Sequence, residues 1–138
     1  MTELHRTAVA VIALVAALFM SLGPALAVDL NGAWATNADE CGKVFRKSNA
    51  NEITFAPDSE MNGGGFIVEH DQLRGRSAKC TIKARKDDGA TVNIVASCAT
   101  EVMFSTTQFA IKVINQNQIT RLFPGMDDIQ INYYRCPM

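Results

Sequence analysis

From residue 28 onward the chain rarely repeats its apolar positions at helical spacing; it runs instead through short stretches in which apolar and polar residues alternate. Side chains of an extended strand point to opposite faces in turn, so this alternation predicts strands with one buried face. "LNGAW" (30–34) opens the series, followed by "NEITFA" (51–56), "FIVE" (66–69), "QLRG" (72–75) and "AKCTIKA" (78–84). "TVNIVASCA" (91–99), "MFSTTQFAIKVI" (103–114), "QITRLF" (118–123) and "IQINYYRC" (129–136) complete it. Turn-forming residues stand between them: "PDSEMNGGG", His70-Asp71, "RKDDG", "NQN" and Pro124-Gly125, the last suited to a type II turn. About eight strands at short spacing predict an all-β fold, a small antiparallel up-and-down barrel. "NADECGKVFRK" (37–47) predicts a short helical turn near the start of the barrel, with Asn37 as N-cap and Glu40 as its capping-box partner.

The segment before residue 28 changes the picture of where the protein works. Arg6 lies in a short polar opening, an apolar run covers 8–20, Ser21-Leu22-Gly23-Pro24 breaks it, and Ala25-Leu26-Ala27 forms a small-x-small cleavage site. That order is the order of a cleaved secretory signal peptide. The run is shorter than the ~20 residues a spanning helix needs. The expectation is therefore a signal peptide at 1–27 and one domain over 28–138, periplasmic or secreted, without stable membrane insertion of the mature protein. A formal net charge of −1 at pH 7 argues against a general affinity for nucleic acid.

All four cysteines, Cys41, Cys80, Cys98 and Cys136, fall in the exported part, and an even count in an oxidising compartment reads first as two disulfides with three possible pairings. Strand parity narrows the choice. Cys80 shares a face with Ile82 and Ala84, and Cys98 with Val92, Ile94 and Ala96, while Lys79, Thr81, Lys83 and Arg85 share the opposite face of their strand. A two-residue Asp88-Gly89 turn would set Cys80 against Ser97, and the cysteines on opposite faces. A three-residue turn, Asp87-Asp88-Gly89 with Gly89 left-handed in a bulge, makes Cys80 and Cys98 diagonal neighbours, and one further step makes them directly opposite. The reading is a Cys80–Cys98 staple, which leaves Cys41 with Cys136. No C-x-x-C pair is present and His70 is the one histidine beyond residue 27, so no metal, redox motif or cofactor is expected.

Candidate recognition residues are few. Arg74, Arg76, Lys79, Lys83, Arg85 and Lys86 crowd into one short span and predict an exposed cationic strip for an acidic partner. Phe123 and Met126 in "FPGMDD" predict an apolar loop tip. Glu69-His70-Asp71 reads as a polar hairpin turn, and Ser59, Ser97 and Ser105 lack a nucleophile elbow, so catalysis is not expected.

Asn31-Gly32-Ala33-Trp34 resembles the G-x-W opening of lipocalin-like barrels, and is similar to the opening of small periplasmic proteinase inhibitors, where a cysteine also follows the tryptophan. The resemblance covers Leu30 to Cys41. It implies that Trp34 packs across one barrel end as a plug. Two features differ from the inhibitor pattern: four cysteines where two are usual, and no N-terminal trunk before Trp34. The function expected is binding, of a protein partner in the cell envelope, with inhibition as one form of it. The alternative is a carrier of a small apolar or anionic ligand, whose pocket would be lined by Phe109, Ile111, Ile131 and Tyr133.

Overall fold

A computed structural model of the protein describes residues 27–138, so the signal peptide read at 1–27 falls, but for Ala27, outside the described residues. Eight strands close into an antiparallel barrel: β1 (Gly32–Ala35), β4 (Gly65–Glu69), β5 (Gln72–Arg74), β6 (Lys79–Asp88), β7 (Thr91–Ala99), β8 (Phe104–Asn115), β9 (Gln118–Leu122) and β10 (Gln130–Arg135). From β4 to β10 each strand pairs with the next in sequence, and β1 closes the cylinder between β4 and β10. The expected up-and-down barrel is the observed fold. Alternation is the cause: in β7, Val92, Ile94, Ala96 and Cys98 are buried while Asn93 and Ser97 are exposed. Among the described residues no helix is long and apolar enough to cross a membrane.

The strands before and after each hairpin turn fix two distinct ends. Residues 70–71, 89–90 and 116–117 turn the chain at one end, together with the entering segment 28–31. At the other end lie the connections 75–78, 100–103 and 123–129, and the long excursion between β1 and β4. Pro124-Gly125 forms the predicted turn, with Gly125 at φ 86° and Met126 N donating to Phe123 O at 2.8 Å.

The excursion folds back over the outside of the barrel. It contains a 3-10 turn (Ala38–Glu40), the helix α1 (Cys41–Val44), a two-stranded ribbon of β2 (Phe45–Lys47) and β3 (Ile53–Phe55), and a second 3-10 turn (Ser59–Asn62). The short helical turn expected within 37–47 is present over 38–44, and Phe45-Arg46-Lys47 then pairs with β3 as a strand. Asn37 caps as expected, its side chain accepting from Asp39 N at 3.1 Å, but Glu40 pairs with Lys43 at 2.9 Å in place of completing a capping box. Val44 and Phe45 pack on the outward faces of Ala33, Ala35 and Ile67, with Ile53 and Phe55 against them, and so build a second core outside the barrel. The approach is close: a Cβ on Gly65 would lie 2.7 Å from both the Phe45 ring and the Trp34 carbonyl oxygen.

Both disulfides pair as the sequence predicts, Cys41 with Cys136 and Cys80 with Cys98, and no described cysteine is free. Two such bonds mark a chain that folds in an oxidising, extracellular-type environment. Cys80 and Cys98 stand directly opposite, but the route to that register differs from the expected one. The turn is two residues, Gly89-Ala90, between Asp88 and Thr91, and the extra residue that restores parity is a bulge between Ile82 and Ala84. Beyond the bulge Arg85 pairs with Ile94 and shares its inward face, so it leaves the exposed strip to which alternation had assigned it.

The Cys41–Cys136 bond spans 95 residues and ties the excursion to the end of the last strand. Replacing both cysteines, Cys41→Ser with Cys136→Ser, is expected to lower stability by up to ~4–5 kcal/mol in the chain-entropy model. An unchanged urea midpoint would show that the outer core holds the excursion without it.

Candidate functional site

The barrel interior is filled unevenly. At the end where the chain enters, Trp34 is fully buried, its indole N–H donates to Leu30 O at 2.8 Å, and the Arg135 guanidinium carbon lies 4.3 Å from its ring centre. Leu30, Val68, Val92 and Ile94 complete the packing around it. Arg135 also donates to the carbonyls of Asp29, Asn31 and Gln116, which draws the entering segment across the barrel bottom. Trp34 therefore occupies the plug position.

Toward the other end the inward side chains stop meeting, and a cavity of about 360 Å³ opens among them. The register explains which residues reach it. Cys98 pairs with Ser105, Ala96 with Thr107, Ile94 with Phe109 and Val92 with Ile111, so β8 presents Ser105, Thr107, Phe109 and Ile111 inward. From β9 and β10, Ile119, Arg121 and Tyr133 share that face. Phe66, Leu73 and the Cys80–Cys98 disulfide close the far wall, while Gly75, Ala78 and Thr100 stand at the mouth. The volume lies in the usual range for small-molecule sites, and the lining is mostly apolar with a few polar groups, which is the usual make-up of such sites.

Arg121 is the charged residue of this lining. Its guanidinium carbon lies 4.9 Å from the Phe109 ring centre and 4.6 Å from that of Phe123. Cation–π contacts of this kind stabilise a partly desolvated cation by roughly 0.5–2 kcal/mol. They supply no oxygen acceptor, however. The Nε atom is buried without a hydrogen-bond partner, a condition that costs about 1–3 kcal/mol. No carboxylate forms a salt bridge with Arg121 among the described residues.

The residues singled out from sequence fall into separate places. Arg74 donates to Ile53 O at 3.0 Å and pairs with Glu69 and Glu52, and Arg76 donates to Ala56 O and to the buried Ser59 hydroxyl. Both arginines bind the excursion to the barrel. Arg85 pairs with Asp87 and donates to Val28 O at the plugged end. Only Lys79, Lys83 and Lys86 remain as an exposed cationic row, each without a salt bridge among the described residues. Phe123 turns onto Arg121, whereas Met126 stays 51% exposed at the loop tip. Of the expected pocket residues, Phe109, Ile111 and Tyr133 line the cavity, and Ile131 packs against the core instead. His70 stands in the turn at the plugged end, its backbone N–H donating to Asn31 Oδ1, and Ser105 stands at the opposite mouth.

Two features escaped the sequence reading. Arg121 occupies the apolar parity of "QITRLF", between Ile119 and Phe123, and a charge at an inward position was the signal that could have found it. The mouth loop 100–103 and the first residue of β8 carry Val102 and Phe104 at 90% and 87% exposure. Compared with known proteins, the chain matches no family model, no curated protein and no solved structure.

The division of the basic residues has a direct test. Arg74→Ala removes acceptor-bound contacts at half-buried positions and is expected to cost about 1–2 kcal/mol, while Lys83→Ala stays within ~0.5 kcal/mol of the parent. Equal losses in urea unfolding would contradict the structural role given to Arg74.

Proposed function

We propose that this protein is a carrier of a small ligand held in the barrel, acting in the periplasm or outside the cell. The observation that carries the reading is the interior itself: packed around Trp34 at one end, hollow and apolar at the other. A barrel of eight strands has an interior just wide enough for side chains to fill it or for one small ligand to sit there. Here side chains fill the end around Trp34 and leave a cavity toward the other. The two disulfides, the leader expected at 1–27 and the G-x-W resemblance all support a secreted carrier.

The envelope-partner reading draws on the same end of the molecule. Val102 and Met103 in the loop between β7 and β8 and Phe104 at the start of β8 are exposed, and exposed apolar side chains grouped in this way often mark a contact surface. In that reading the loop enters a partner's cleft, as an inhibitor would, and the cavity stays empty.

An environment-sensitive naphthalene sulfonate probe separates the two. The carrier reading expects saturable one-to-one fluorescence enhancement with the mature protein. Thr107→Trp, which places an indole in the cavity, is expected to weaken that binding at least tenfold with the far-ultraviolet spectrum unchanged. Enhancement that persists in Thr107→Trp and disappears in Phe104→Ser would move the site to the outer loop and overturn the carrier reading.

A further inference from the structure

We infer that the ligand is an amphipathic carboxylic acid, bound with its carboxylate on Arg121 and its apolar body against Phe109, Ile111, Ile119 and Tyr133. The inference rests on the carrier reading and adds the chemical class of the ligand. It starts from a mismatch inside the protein. Arg121 brings a permanent positive charge to the wall of a cavity whose lining is otherwise mostly apolar, and no acidic side chain among the described residues pairs with it. Its Nε donor is buried and unpartnered. Phe109 and Phe123 hold the guanidinium by their rings and leave its need for an oxygen acceptor unmet. A planar carboxylate suits the rest of that guanidinium, because the two terminal Nη groups match its two oxygens in a bidentate pair.

The rest of the cavity sets the body of the ligand. Ile111, Ile119, Leu73, Phe66 and the Cys80–Cys98 sulfurs offer no charge, so a second ionised group there would lose its water without compensation. At ~30 Å³ for a water-sized group, about 360 Å³ holds roughly a dozen non-hydrogen atoms. That is a medium-length monocarboxylate. Glu101, Asp127 and Asp128 stand exposed on the mouth loops, and as solvated charges they are screened over about a Debye length, whereas Arg121 acts in an apolar lining. Arg121, partly buried and without a salt bridge among the described residues, therefore dominates the choice of ligand charge. Thr107 and Ser105, also in the lining, are hydroxyl donors that suit a carboxylate's remaining lone pairs.

Isothermal titration with three probes of one chain length tests the assignment: decanoate, decanol and decyltrimethylammonium. Decanoate is expected to bind the mature protein roughly ten- to hundredfold more tightly than decanol, and the cation to bind least. Arg121→Gln should bring decanoate down to the level of decanol while decanol binding stays within about threefold, and Arg121→Lys should keep part of the preference. Equal binding of decanoate and decanol by the parent protein would overturn the acid assignment and leave the carrier reading standing. Binding of none of the three would overturn both. Because the parent protein alone distinguishes these outcomes, the test holds even where Arg121→Gln fails to fold.

Discussion

The contact between Arg135 and Trp34 is the constraint on which the barrel depends. A barrel must close where its first and last strands meet, and here that seam has a short ladder, with Trp34 opposite Arg135 and Ala35 opposite Tyr134. Arg135 reinforces it from the side: its guanidinium covers the indole and gathers carbonyl oxygens from the entering segment and from the β8–β9 turn. Just beyond the seam, Cys136 N donates to Ala33 O and its sulfur bonds to Cys41. One residue pair thus joins the first strand, the last strand and the bottom of the barrel. Closure there is dense enough to free the other end from packing.

That freedom has a physical cost, and the sequence shows how it is met. The cavity leaves lining atoms at the open end without partners, and dispersion contacts are forfeited wherever that happens. The Cys80–Cys98 bond crosses β6 and β7 at that level, so a covalent link stands where packing is missing. Outside the same barrel, the excursion held by Arg74 and Arg76 buries the outward faces of Ala33, Ala35 and Ile67. A core divided between the plugged end and the outer face leaves the open end available for a ligand.

Most strands were legible because one face is wet, as "TVNIVASC" shows, although β1 is covered on both faces. β2 was not legible, since three residues ending in Arg46-Lys47 carry too little alternation to stand apart from a helical turn. The bulge at Lys83 was illegible for a different reason: Lys79, Lys83 and Arg85 fit an unbroken alternation, and only pairing with β7 reveals that Arg85 has changed face. Both disulfides could be read from parity and elimination. The cavity could not, because alternation tells which way a side chain points and says nothing of whether the inward ones meet. Arg121 lay between these cases, visible as an inward charge but without meaning until the cavity beside it was seen.

The central claim is that the barrel is closed around Trp34 and hollow above it. A crystal of residues 28–138 under xenon pressure measures this most directly, since xenon enters apolar cavities that side chains leave open. Xenon is expected between Phe109, Ile111, Ile119 and the Cys80–Cys98 disulfide, and none beside Trp34. Side chains filling that upper space, or xenon lodged at the Trp34 end, would contradict it.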